Sequence, residues 1–196
     1  MKIQWVRAFR LGALLAVTGL AAALLAQPAR ADTFSVFADL PVDFSLHLDN
    51  GAGTTENPSA SGLSGYKVGI TLPIFVGLAY ESYGSKFNSP KIVGQSFNYD
   101  VTMYDLFLNL PLPVINIAVG LGQGTGKFSN GPAGVTVKDA DLSQWFASLG
   151  FNIMPLVDVH LGYHVFSGKN DVTSPAGSPG LKVEGTMTSL GVKIGF

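Results

Sequence analysis

The chain has 196 residues, 47% of them hydrophobic, 13% charged and none cysteine, with a formal net charge of −1. Four of the twelve Lys/Arg fall within residues 1–31 and none of the thirteen Asp/Glu does, so residues 32–196 carry eight basic side chains, all Lys, and a net charge of −5. That balance excludes a nucleic-acid binder, which needs a basic face to neutralise phosphates; the missing cysteines exclude a disulfide scaffold and a lipid-anchored lipoprotein.

Lys2, Arg7 and Arg10 form a basic start, Leu11 to Ala26 an apolar run, and Ala29-Arg30-Ala31 a small-x-small cleavage pattern. A transmembrane helix needs about 20 apolar residues. This run is shorter and meets Gln27-Pro28 at once. The pattern predicts a cleavable signal peptide over residues 1–31 and a mature domain over 32–196. Phe34, Val36 and Ala38 alternate, so Asp32 to Asp39 reads either as a periplasmic lead-in or as an extension of the first strand.

Four segments then open at proline: Leu40-Pro41, Leu72-Pro73, Leu110-Pro111 and Met154-Pro155. Each runs on as an alternating strand and dissolves into a Gly/Ser/Asn stretch. Between them lie returning segments over Leu63 to Leu72, Phe97 to Leu110, Leu142 to Ile153 and Leu181 to Phe196. Hairpins of unequal loop length fit a meander of eight strands better than a solenoid. Turns at the prolines are tight, because proline fixes φ and cannot donate to a ladder. The other connectors are long: Asp49 to Gly62, Ser82 to Ser96, Gln123 to Asp141 and Ser167 to Gly180.

Strict alternation gives each strand two faces. One carries bulky apolar residues, including Phe44, Leu46 and Leu48, Val68 and Ile70, Leu106 and Leu108, Ile117 and Val119, and Val159 and Leu161. The other carries glycine, alanine and serine, with Asp43, His47, Lys67, Glu81, Asp105, Asp158, His160, His164 and Lys193 among them. An eight-stranded barrel has an interior just wide enough to be filled by side chains. The bulky face is too voluminous for it, which argues against a soluble ligand-binding barrel and turns that face to lipid. Tyr66, Tyr80, Trp145 and Tyr163 fall near the long-loop ends, as an interfacial girdle would. Phe97 to Met103 alternate on the parity opposite to Tyr104 onward, which predicts a β-bulge near Met103-Tyr104.

The final strand carries Leu190, Val192, Ile194 and Phe196 on one parity and stops on the aromatic. This ending resembles the C-terminal signal that the outer-membrane assembly machinery reads. Together with the signal peptide and the alternation of short and long connectors, it makes the chain resemble the small eight-stranded bacterial outer-membrane proteins, of the OmpA/OmpX-like kind. The resemblance implies an all-β, antiparallel, up-and-down transmembrane barrel in a Gram-negative outer membrane. It further implies a porin-like, monomeric cell-envelope protein whose partners are membrane lipid and lipopolysaccharide.

None of the candidate chemistry converges. His160 and His164 lie about 13 Å apart along a strand, too far to share a metal, and polar filling of a narrow lumen accounts for all three histidines. His164 and Ser167 are spaced by three residues, whereas lipid-modifying barrel deacylases place the serine two after the histidine, so no enzyme, cofactor or metal is expected. The inward charges should pair, Lys193 with Asp43 or Asp158 and Lys67 diagonally with Glu81, because unpaired charge in a restricted interior is costly. Gly120 to Gly124 ends a strand and opens no helix, so it is not a dinucleotide fingerprint. Lys86, Lys127 and Lys169 stand where they would meet lipopolysaccharide phosphates or water. The expected role is structural or surface-interacting, in envelope integrity or adhesion, through long extracellular loops. A narrow channel for small or apolar solutes is the alternative, and a lipid A-modifying enzyme a remoter one.

Overall fold

The computed structural model describes residues 34–112, 115–131, 136–154, 156–174 and 180–196. The expected signal peptide, residues 1–31, lies outside them. Among the described residues there are eight long strands: β1 (Ser35–Asp49), β2 (Ser59–Thr71), β3 (Val76–Ser89), β4 (Gln95–Pro111), β5 (Ile115–Ser129), β6 (Ala140–Met154), β7 (Val157–Asn170) and β8 (Leu181–Gly195). Each pairs antiparallel with the next, and β8 closes on β1 from Gly195 opposite Ser35 to Lys182 opposite Asp49. The product is a closed up-and-down barrel, the fold class expected from the alternation. Residues 35–39, left open between a lead-in and a strand, are the first third of β1 and pair with both neighbours.

The wall changes character along its height. At the proline end the outward positions are bulky and exposed: Val68, Leu78, Leu106, Leu108, Leu149, Phe151, Leu161 and Val192. This belt ends at Tyr66, Tyr80, Tyr104, Leu121, Trp145 and Tyr163, all outward, with the three tyrosines of β2, β3 and β4 in ring contact at 6.1 and 5.3 Å. Above the girdle the pattern inverts. Outward positions become Lys86, Asp100, Thr125, Lys127, Ser143 and Lys169, while Phe44, Leu48, Phe87, Phe97, Tyr99, Val101 and Phe166 fill the interior. The lower half is dressed for lipid and the upper half for water, on one continuous sheet.

That inversion corrects three expectations. Phe44, Leu46 and Leu48 do not face lipid but are 0–3% exposed inside the barrel, and Asp43 and His47 point outward. The strand switches phase below them, where its register against β8 shifts between Pro41 and Asp43; proline, lacking an N–H, suits such a bulge. Second, there is no bulge near Met103-Tyr104: β4 keeps register with β3 and β5 throughout. Phe97, Tyr99, Val101 and Met103 share the inward parity of Asp105, and only the chemistry of the interior changes. Third, most of the long loops are strand. The β3–β4 connection shrinks to residues 90–94, and Thr55–Glu56 adds to the outer end of β1. Because the chain has no cysteine, single-cysteine labelling tests the β1 phase directly: in folded protein Ser45→Cys reacts with a water-soluble maleimide and Leu46→Cys does not.

Candidate functional site

Side chains from five strands meet in the lower half of the lumen. Lys67 on β2 stands directly opposite Glu81 on β3, not diagonal to it, with Nζ 3.5 Å from Glu81 Oε2. The same ammonium donates to Asp105 Oδ2 of β4 at 2.6 Å. The Gln144 amide of β6 donates to Glu81 Oε1 and Asp105 Oδ1 at 2.5 and 2.6 Å. His164 of β7 places Nδ1 3.4 Å from Glu81 Oε2 and stacks on Phe146, over whose face Lys67 also sits at 3.6 Å. All five polar side chains are buried.

A second cluster lies nearer the proline end. His160 presents Nε2 to Asp39 Oδ1 at 2.8 Å and Nδ1 to Asp158 Oδ1 at 3.2 Å, so the ring lies between two carboxylates. Asn116 donates to Asp158 and to Asn152, Ser189 donates to Asp39 at 3.3 Å, and Lys193 approaches Asp158 at 4.0 Å. Of the two partners expected for Lys193, Asp158 is the one it meets; Asp43 is on the opposite face of the wall. The cavity between the clusters measures about 30 Å³, room for one or two waters. Phe37, Phe107 and Phe146 pack beside it.

The inward glycines make this packing possible. A Cβ on Gly77 would strike the Phe107 ring, one on Gly120 the Phe146 ring, one on Gly122 the Asp105 carboxylate, and one on Gly191 the Asp39 carboxylate. Each glycine is a socket for a large neighbour on the adjoining strand. Asp39, Gln144 and Asn116 were not singled out from the sequence. Their parity was the available signal: Gln144 and Asn116 share the inward parity of their strands, and Asp39 that of Ser35.

His164 faces the lumen while Ser167 is exposed outside, so these two side chains do not meet. Among the described residues no group of three or more His, Asp or Glu could hold a metal ion.

Above the girdle, a carboxylate clasp ties two connectors together. Glu56 accepts from Ser89 Oγ at 2.5 Å, from the Ile92 amide at 3.0 Å and from the Lys91 amide at 3.3 Å, while Ser89 Oγ accepts from the Val93 amide. Burial pushes the Glu56 carboxyl up, but these hydrogen bonds and the Lys91 charge outweigh it and hold the pKa below its ordinary value of 4.5. On the outer wall, Lys169 lies between Asp141 and Lys182 in register, and Asp49 flanks Lys182. With Gln123, Thr125, Ser143 and Ser167 they line a broad, open concavity of about 1150 Å³. Lys86, Lys127 and Lys169 are all exposed at this level.

No family model and no curated protein matches the sequence. Solved structures do match in fold. Neisserial surface protein A, 12% identical, superposes with a TM-score of 0.59 over 84% of this chain and 97% of its own. The outer-membrane protein AlkL, solved in lipid bilayers and 17% identical, gives 0.59 over 87% and 94%. The chain therefore has the fold of the small eight-stranded outer-membrane β-barrels, and its apolar outward belt is the feature that fold presents to lipid.

Two outcomes follow from the geometry. Lys67→Met strands Glu81 and Asp105 in the lumen and costs about 3–5 kcal/mol of stability, read by urea unfolding in vesicles, with part of the loss restored in K67M/D105N. The Glu56 clasp, its folded pKa lowered, is fully present above the ordinary carboxylate range and is lost as pH falls through the lowered value. Hydrogen bonds to a charged group contribute about 1.5–3 kcal/mol, so Glu56→Gln speeds amide exchange at Lys91 and Ile92 by roughly tenfold or more.

Proposed function

We propose that this protein is a closed, non-enzymatic outer-membrane scaffold that acts through the wall and rim it raises above the membrane. It contributes to envelope integrity or adhesion. One observation carries the reading: ion-paired side chains occupy the lower lumen and an aromatic core the upper, leaving a cavity of only about 30 Å³ between the polar clusters. A paired lumen does not conduct, which leaves the exterior as the working surface. Lipopolysaccharide is the natural partner there. Lys86, Lys127 and Lys169 stand six residues above the girdle residues Tyr80, Leu121 and Tyr163, with Lys182 paired beside Lys169 and hydroxyls among them, a cationic surface facing the phosphate-bearing layer of the outer leaflet. In this reading the exposed outward face of Leu190, Val192, Ile194 and Phe196 is what the assembly machinery engages, and the folded barrel stays monomeric.

One observation favours a second reading, passage of small apolar solutes. β1 pairs with β2 only over Ser35–Asp39, and the ladder does not resume until Thr55–Glu56. Leu63, packed against the interior aromatic cluster, stoppers the interval between. A solute entering the apolar upper interior would leave sideways there.

Planar-bilayer recording separates the two classes from a pore. The refolded, heat-modifiable barrel is silent, whereas F107A/F146A, which removes two rings lining the lumen cavity, passes ions. Discrete channels from the unmodified protein would overturn the closed-scaffold reading. Uptake of a small apolar fluorophore into vesicles by a silent barrel would favour the second.

A further inference from the structure

The turns at the proline end differ from turns built for water. Such turns ordinarily use Gly, Asn, Asp and Ser. Here the tips are Pro73-Ile74-Phe75, Pro111-Leu112 and Leu156, with Ile74 69% and Leu156 54% exposed. Each tip sits inside a run without a single charged residue: 68–80, 106–126 and 142–157. Phe34 and Phe196 add to the same rim, in ring contact at 6.3 Å with Phe196 66% exposed.

Phe75 sharpens the point. It is a non-glycine residue at φ +63°, a conformation that glycine or asparagine adopts at little cost and that strains a bulky side chain. A water-facing turn gains nothing by holding an aromatic ring there. A lipid-facing turn gains buried apolar area.

Backbone hydrogen bonding gives an independent indication. Hydrocarbon offers no partner to a free amide, so polar groups must be satisfied within the protein. At these turns Leu72 N donates to Val76 O at 2.8 Å, Phe75 N to Leu72 O at 3.0 Å and Leu112 N to Ile115 O at 2.8 Å. Neighbouring strands take up the turn carbonyls: Asn109 N donates to Phe75 O, Gly195 N to Leu156 O and Phe196 N to Phe34 O, at 2.7–2.9 Å. The prolines have no N–H to satisfy.

The length of the belt supplies the reason. From turn to girdle the outward apolar run covers four residue steps in β3 (Val76 to Tyr80), six in β5 (Ile115 to Leu121) and eight in β6 (Ile153 to Trp145). At about 3.3 Å per residue and a tilt of about 40°, these runs span roughly 10–20 Å of membrane normal. An outer-membrane belt is about 25 Å tall. The strands alone fall short, and the apolar turns extend the apolar surface toward that height.

We propose that the periplasmic turns of this barrel lie within the inner leaflet of the membrane, in contact with phospholipid, and do not project into the periplasm. The occupant of the exposed apolar rim is lipid, continuous with the lipid already against the belt.

Residues 32–196 contain one tryptophan, Trp145 at the girdle, which allows a direct test. In a Trp145→Phe background, Ile74→Trp and Leu156→Trp are refolded into phosphatidylcholine vesicles carrying bromine on the acyl chains. The expected emission is blue-shifted, quenched by the brominated chains at least as strongly as native Trp145, and insensitive to iodide. Red-shifted emission quenched by iodide and untouched by bromine would overturn the proposal and leave the rim as a docking face for a periplasmic protein. A measurement on the unmodified chain stands beside it. Stability across bilayers of graded thickness peaks near a hydrocarbon thickness of about 25 Å if the turns are embedded; a peak in thinner bilayers, matched to the strand belt alone, would overturn it.

Discussion

Closing eight strands into a barrel fixes the width of the interior before any side chain is chosen. Every inward residue then competes for the same narrow cross-section, and the glycines are the response. Gly77, Gly120, Gly122 and Gly191 stand against Phe107, Phe146, Asp105 and Asp39, and none tolerates a Cβ without displacing its neighbour. Because volume is matched pair by pair, charged groups come close enough to satisfy one another. Lys67 reaches two carboxylates and a ring face at once. The close packing of the lumen follows from this matching.

The second constraint is the solvent outside the wall. Below the girdle the wall meets hydrocarbon, so apolar bulk goes outward and the interior holds the polar residues. Above it the wall meets water, so Lys86, Asp100 and Lys127 go outward and the interior becomes an ordinary aromatic core around Phe44, Phe87 and Phe166. The bulge after Pro41 switches β1 from one regime to the other by slipping a residue. β4 achieves the same by changing residue type at constant parity, from Asp105 and Phe107 below to Met103 and Val101 above.

This difference explains what was legible in the sequence. Strand number, the proline turns, the terminal strand and the lipid face of β2 to β8 all read from alternation. Lys67, Glu81, Asp105, Asp158, His160, His164 and Lys193 fall on the inward parity, and the structure brings them together. Asp43 and His47 do not join them, because the reading held polar residues inward along the full length of β1. One rule of polarity applied to a wall that crosses two solvents gives the wrong side wherever the solvent changes. Asp39 escaped notice for the complementary reason: it lies below the bulge, on a segment whose strand character was open. Register was the missing quantity, since Gln144 completes the Lys67 cluster only through its position across β6 and β5 from Asp105.

Among the described residues, what rises above the girdle is chiefly paired sheet rather than loop. A protease needs several consecutive residues free of hydrogen bonds and extended in its cleft, and such segments concentrate at loop tips and termini. Between β3 and β4 the ladder runs to Ser89 opposite Gln95, with Glu56 holding the adjoining turn. To cut there, an enzyme must first unzip strands anchored in the aromatic core, so digestion is governed by local unfolding and not by exposure. The β3–β4 hairpin is in this sense armoured by its own backbone.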